Sequence, residues 1–136
     1  MKKRLLAILA TAAMVVAMIP SMVFAASTLS AAEFLALKDS TGTIKLTDDI
    51  TLSEAVKIEN DTVIDLNGKT LTLANVADNY GIVVKDDLTI TGDGTVSIPG
   101  AYGIGVSTSC VGTLTIESGT FEASATTSYI IGSWGK

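Results

Sequence analysis

The chain has 136 residues, with 14 acidic and nine basic side chains, no histidine and one cysteine. This length suits a single domain. Three of the nine basic residues stand at positions 2 to 4. In the segment 26–136, six lysines face 14 acids, a net charge of −8. So acidic a segment lacks the basic patches that bind nucleic acids and anionic membrane surfaces, which argues against both as partners.

The segment 1–25 is typical of a secretory signal peptide. Basic side chains at positions 2 to 4 precede an uncharged apolar run over positions 5–19, and Val23 and Ala25 supply the small residues that a signal peptidase accepts. The rival interpretation is a membrane anchor, but the run is shorter than the roughly 20 apolar residues that a spanning helix needs. We therefore predict a secreted or cell-surface protein, cleaved after Ala25 and not inserted in the membrane afterwards.

The next segment, residues 26–40, is predicted to form a cap and a linker. Ser30 and Glu33 fit a capping box in front of an apolar stretch. In that arrangement the Ser30 hydroxyl accepts from the Glu33 amide while the Glu33 carboxylate reaches back. We expect a short amphipathic helix over about residues 30 to 38.

From residue 41 onwards, the chain repeats. The segments IDLNGKTLTL, LTITGDGTVSI and GTLTIESGTFEA align, and Thr70, Thr95 and Thr120 recur at equal intervals. An earlier, degenerate copy is TIKLTDDITL. A period of this size predicts a stack of similar units, in which each strand pairs with the same strand one coil away. The sequence thus predicts four coils over residues 41–136, with a core of aliphatic ladders such as Leu71 over Val96 over Phe121.

Tight bends separate the first two strands of each unit. The pair Asn67-Gly68 on its own would signal a β-hairpin. The bend recurs, however, as TGDG around Gly92 and Gly94 and as ESG at Gly119. All three bends contain a glycine that can adopt positive φ, but they do not share one hairpin loop type. We therefore favour a solenoid corner over a hairpin.

The segments TVIDLNGKTLTL, GIVVKDDLTITGDGTV and GTLTIESGTFEA resemble the right-handed parallel β-helix, or pectin-lyase-like, modules of secreted bacterial surface proteins. The resemblance covers residues 41–136. It implies an all-β fold, a right-handed parallel β-helix (solenoid) of about four coils with a short N-terminal capping helix. It implies no single activity, because this fold carries lyases, hydrolases, adhesins and inert stalks.

Lyases of that superfamily combine calcium-binding aspartates with an arginine base, and its hydrolases combine clustered aspartates with a histidine. Residues 26–136 contain neither arginine nor histidine. We therefore predict a non-catalytic module that serves as a stalk, an adhesin or a carbohydrate-binding surface. The alternative is the N-terminal part of a polysaccharide lyase or glycoside hydrolase whose catalytic coils are absent from this chain.

Aromatic residues give the first candidate binding site. Tyr80, Tyr102 and Tyr129 each begin the third element of a coil, and Trp134 follows near the end. Exposed, this column offers flat faces on which the sugar rings of a cell-wall or extracellular glycan can stack; buried, it is a stack of aromatic core residues.

Acidic pairs give a second candidate. Both Asp48-Asp49 and Asp86-Asp87 precede a strand. The simpler interpretation is two solvated turns, and the alternative is a calcium site in which Asp86 and Asp87 combine with Asp93 or Asp61. Cys110 has no partner for an internal disulfide, and we expect its thiol to be buried.

The end of the sequence predicts an open edge. SYIIGSWGK carries an apolar strand with no helix or polar coil to cover it. We expect the repeats to be incomplete at the C-terminus, to associate end to end with another copy, or to be only marginally stable alone.

Overall fold

Short stretches of alternating apolar and polar residues form the strands, because successive side chains of a strand point to opposite faces. The computed structural model describes residues 26–134, which contain 13 strands and one helix. The predicted signal peptide lies outside these residues. No helix in the described part of the chain is long and apolar enough to cross a membrane.

Each coil contributes one strand to each of three parallel sheets, and four coils stack into a solenoid. Sheet 1 contains the first strand of each coil: β2 (Thr43–Lys45), β5 (Thr62–Asp65), β8 (Leu88–Thr91) and β11 (Leu114–Ile116). Sheet 2 contains the second strands: β3 (Ile50–Leu52), β6 (Thr70–Thr72), β9 (Thr95–Ile98) and β12 (Thr120–Ala123). Sheet 3 contains the third strands: β4 (Val56–Ile58), β7 (Ile82–Val84), β10 (Tyr102–Ser107) and β13 (Tyr129–Trp134).

Every strand pairs in parallel with its counterpart one coil away, which confirms the predicted solenoid. The three equally spaced threonines are aligned across β6, β9 and β12. In the same sheet, Leu71 lies opposite Val96 and Val96 opposite Phe121, as the repeat predicted. Sheet 1 carries an isoleucine ladder, formed by Ile44, Ile64, Ile90 and Ile116.

The Asn67-Gly68 bend is a solenoid corner, since the strands it joins, β5 and β6, belong to different sheets. Asn67 and Gly68 both adopt positive φ angles, 49° and 75°. The Asn67 side-chain nitrogen donates to the Leu46 carbonyl at 2.8 Å, and the Gly68 amide donates to the Asp93 carbonyl. The corner therefore bonds to the coil on either side of it.

The first coil is covered by a strand and a helix. β1 (Ser27–Leu29) pairs in parallel with β3 and adds a fifth strand to sheet 2. The helix that follows, α1 (Ala31–Ala36), begins with the predicted capping box: the Ser30 hydroxyl accepts from the Glu33 amide, and the Glu33 carboxylate accepts from the Ser30 amide. Its Phe34 is fully buried in the core. The helix is shorter than predicted, and β1 was not anticipated.

The last coil is much less covered. Among the described residues, β11, β12 and β13 each pair along one edge only. Ile116 is 39 % exposed, although the three isoleucines beneath it in the ladder are fully buried. Ile130 and Ile131 are 40 % and 44 % exposed. Apolar side chains and backbone edges therefore meet solvent at this end.

This difference within one ladder predicts unequal costs for the same substitution. Ile90→Val is expected to lower the free energy of unfolding by about 0.5–1.5 kcal/mol, as for buried isoleucines generally. Ile116→Val removes the same methylene from a half-exposed position and should cost distinctly less. Urea unfolding at low protein concentration measures both, and equal losses would mean that the last coil is as well covered as the third.

Candidate functional site

One corner of the solenoid is longer than its counterparts. The chain passes from sheet 2 to sheet 3 in three residues in the first and third coils (53–55 and 99–101) but takes nine in the second coil (73–81). The extra length can be accommodated because a solenoid requires its strands, not its connections, to match. Near the end of this long corner stand Asp78, Asn79 and Tyr80.

The end of the long corner turns sharply. Asp78 has a φ of 59°, a left-handed conformation that aspartate and asparagine tolerate better than other side chains. The Asn79 side-chain oxygen accepts a hydrogen bond from the Tyr80 amide at 2.9 Å. The carboxamide nitrogen remains as a donor that Asn79 can offer to a ligand.

Tyr80 lies against the outer face of sheet 3. One row of that face consists of Lys57, Val83, Gly105 and Gly132, one residue from each coil. A Cβ atom added to Gly105 would sit 2.5 Å from the Tyr80 ring carbon Cγ, and one added to Gly132 would sit 3.1 Å from Cζ. The two glycines thus leave the space in which the ring packs directly on the strand backbones.

The three predicted tyrosines form one cluster, which we call the tyrosine column (Tyr80, Tyr102 and Tyr129). Tyr102 and Tyr129 are opposite each other in β10 and β13, with ring centroids 5.9 Å apart and planes within 9°. The Tyr80 and Tyr102 rings are 5.4 Å apart and tilted by 57°.

Exposure increases along the column. Tyr80 and Tyr102 are half-buried and Tyr129 is 55 % exposed, so neither sequence interpretation, an exposed column or a buried one, holds for all three rings. The backbone of Trp134 pairs with Ser107, five positions beyond Tyr129 in β13. At about 3.3 Å per residue this places it roughly 16 Å along the strand from the column.

Burial also affects the ionisation of the column. Desolvation raises the pKa of the Tyr80 phenol above its usual value, and the neighbouring Tyr129 and Tyr102 raise it further. The Tyr80 hydroxyl therefore remains protonated at neutral pH.

A shallow pocket of about 190 Å³ adjoins the column, lined by Asp78, Asn79, Tyr80 and Tyr102. It combines two aromatic rings with a carboxylate and a carboxamide. Such a set can stack against a ring and bond to its polar substituents. Asp78 and Asn79 were missed in the sequence, where the only available signal was the extra length of TLTLANVADNYGI, 13 residues, over the aligned TVSIPGAYGI, 10 residues.

A second group of acidic side chains lies on another corner. Carboxylate oxygens of Asp61, Asp86 and Asp87 all lie within 4.8 Å of one another. Asp93 is not among them; its carbonyl bonds to Gly68 at the corner between sheets 1 and 2. Of the two arrangements that the sequence left open, the structure brings together the one with Asp61. Calcium binding there stays a prediction.

Both acidic doublets also connect neighbouring coils. The Asp49 carboxylate accepts from the Thr70 amide at 2.8 Å, and the Asp87 carboxylate accepts from the Thr113 amide at 2.8 Å. In each case the second aspartate satisfies a backbone donor at the start of a strand of the following coil or just before it. This supports the interpretation of the doublets as turns, with a stabilising bond that the sequence did not reveal.

The predicted burial of the Cys110 thiol was wrong. Cys110 is exposed, and the neighbouring Val111 is 97 % exposed. Both lie in the connection between β10 and β11, which leaves the sheets rather than packing under them. The apolar character of Cys110 suggested burial. Its exposure is instead decided by its position in a connection that lies outside the sheets.

These features define a class of protein: a four-coil parallel β-solenoid with a half-exposed tyrosine column beside a polar pocket. The chain matches no protein-family model, no curated protein and no solved structure. The resemblance to pectin-lyase-like surface modules therefore stays a prediction.

The close packing of Tyr80 on Gly105 predicts a non-additive pair of substitutions. Gly105→Ala places a methyl group inside the ring position and should destabilise the protein by about 1–3 kcal/mol. In a Tyr80→Ala background the ring is gone, so the added cost of Gly105→Ala should fall well below that value. Chemical unfolding of the two single variants and the double variant measures the coupling, and additive losses would contradict the contact.

Proposed function

We propose that the chain is a non-catalytic module, secreted or displayed on the cell surface, that binds a glycan on its tyrosine column. The observation that carries this proposal is the grouping of three tyrosine rings from three coils, with Tyr129 more than half exposed and a polar pocket at Tyr80 and Tyr102.

The chemistry of the column suits a sugar ring. A pyranose presents C–H groups on its faces and hydroxyl groups around its edge. Aromatic rings pack against the former, while carboxylate and amide groups bond to the latter. The column supplies the rings, and Asp78 and Asn79 supply the polar groups. A chain of linked sugars can lie across Tyr129 with one residue at the pocket.

Residue chemistry supports a binding role over a catalytic one. The whole sequence has no histidine, and its single arginine is Arg4, inside the predicted signal peptide. The pocket offers one carboxylate, whereas glycoside hydrolysis typically uses two that flank the scissile bond. The alternative, part of a lyase or hydrolase with catalytic coils elsewhere, rests on fold analogy alone. Calcium-dependent cleavage of an acidic polysaccharide by the purified chain would overturn the non-catalytic proposal.

Replacing the column should remove glycan affinity without unfolding the protein. For oligomers of N-acetylglucosamine, Tyr129→Ala is expected to weaken binding roughly fivefold, because a stacked aromatic ring contributes about 1 kcal/mol. Changing all three tyrosines to alanine should abolish binding. Calorimetric titration gives the affinities, and circular dichroism verifies the fold.

The matched control is Val111→Ala, which removes an exposed apolar side chain outside the column. Its affinity should equal that of the unchanged protein. Affinity retained by a folded triple-alanine variant would show that the tyrosines are not the binding surface.

The exposed last coil favours a second role, and we propose that it pairs with the last coil of another copy. At the opposite end, beside α1 and β1, the core side chains of the first coil are buried, whereas at the last coil apolar side chains and open strand edges are exposed together. Two such ends related by a two-fold axis bring strands together antiparallel, and Ile116, Ile130 and Ile131 then lose contact with water.

This pairing predicts concentration-dependent size for residues 26–136 in sedimentation velocity. Ile131→Lys should shift the protein to monomer, because a charge at an open edge disfavours strand pairing. Val111→Lys adds the same charge at a highly exposed site outside the last coil and should leave the dimer unchanged. A monomer at every concentration would rule out the pairing.

A further inference from the structure

We infer that the pocket beside the tyrosine column selects an amino sugar with a free, protonated amine, such as a glucosamine unit of a deacetylated glycan. This inference rests on the proposed glycan-binding function and specifies which substituent the pocket accepts. It follows from three properties of the pocket: the tilt of its two rings, the charge at its rim and the hydrogen-bond groups it offers.

The two rings that line the pocket form a corner and not a slot. Tyr80 and Tyr102 are tilted by 57° with centroids 5.4 Å apart, too close and too tilted for a sugar ring to lie between them. A small cationic group can instead sit at the mouth of the corner and face both π systems. Ammonium groups are attracted to the faces of tyrosine rings within about 6 Å of the centroid.

The described residues that line the pocket include one charged side chain, the carboxylate of Asp78. Asp78 stands beside the two rings, and no lysine of the described chain lines the pocket with it. Two of those lysines, Lys45 and Lys85, are paired with Asp65 and Glu59. An acidic glycan would meet an unfavourable potential here, whereas an ammonium group would gain both the ion pair and the aromatic faces.

The remaining polar groups are compatible with an amino sugar. The Tyr80 hydroxyl stays protonated, because its pKa is raised by burial and by the neighbouring tyrosines, so it adds no charge of its own. The Asn79 side-chain nitrogen can donate to a sugar hydroxyl, while its oxygen accepts from the Tyr80 amide. An N-acetyl group would replace the charge with a neutral amide and lose the interaction with Asp78.

The decisive experiment compares two tetramers that differ only in acetylation. Calorimetric titration of the full mature chain with tetraglucosamine and tetra-N-acetylglucosamine, at a mildly acid pH that keeps the amines protonated, should give about fivefold tighter binding of tetraglucosamine. Asp78→Asn should weaken the binding of tetraglucosamine more than that of the acetylated tetramer, and so remove most of this preference. Asparagine tolerates the left-handed backbone of this position, so the variant should keep its fold.

Asp93→Asn is the matched control, because it makes the same change in net charge at an exposed corner that does not line the pocket. It should retain the preference. Equal affinities for the two tetramers, or equal effects of Asp78→Asn and Asp93→Asn, would overturn the inference and leave the glycan-binding proposal standing. Failure of both tetramers to bind would overturn this inference together with the glycan-binding proposal.

Discussion

The structure depends on one interaction, the in-register stacking of each strand on its counterpart one coil away. Parallel pairing satisfies the backbone along each sheet and sets like side chains over like, as in the ladder of Ile44, Ile64, Ile90 and Ile116. No single coil can bury its own apolar face, so the core exists only as a property of the stack. The first coil is covered by α1 and β1. The last coil, without such a cover among the described residues, keeps its isoleucines partly in water.

Stacking constrains strands tightly and connections hardly at all. The polar contacts between coils also constrain single positions only. Asn67, Asp49 and Asp87 each bond to the backbone of a neighbouring coil and leave the rest of each connection free to vary. The nine-residue corner of the second coil uses this freedom. Its extra residues bring Asp78 and Asn79 to the edge of sheet 3 and direct Tyr80 back over the strands.

The candidate site lies over two glycines in adjacent strands of sheet 3. Glycine inside a strand loses more conformational entropy than alanine, about 0.5–1 kcal/mol per position. Gly105 and Gly132 lie in adjacent strands and each loses this entropy. Because neither has a side chain, the Tyr80 ring can pack directly on their backbone. That packing holds Tyr80 at a fixed angle to Tyr102, and the angle creates a corner suited to a small cationic group. The same glycines therefore admit the Tyr80 ring to sheet 3 and shape the pocket.

The repeat was enough to predict the solenoid, the aligned threonines and the ladder of Leu71, Val96 and Phe121. Short motifs were enough to predict the corner at Asn67-Gly68 and the capping box at Ser30. All of these follow from periodicity and local turn chemistry, which act over a few residues or recur at a fixed interval. Other features were visible only in the folded chain: Asp78 lines the pocket, Asp61 and not Asp93 lies beside Asp86 and Asp87, Cys110 is exposed, and Tyr80 packs on two glycines. The physical reason is that these arrangements depend on where irregular connections fold against neighbouring coils, and such contacts join residues with no shared period.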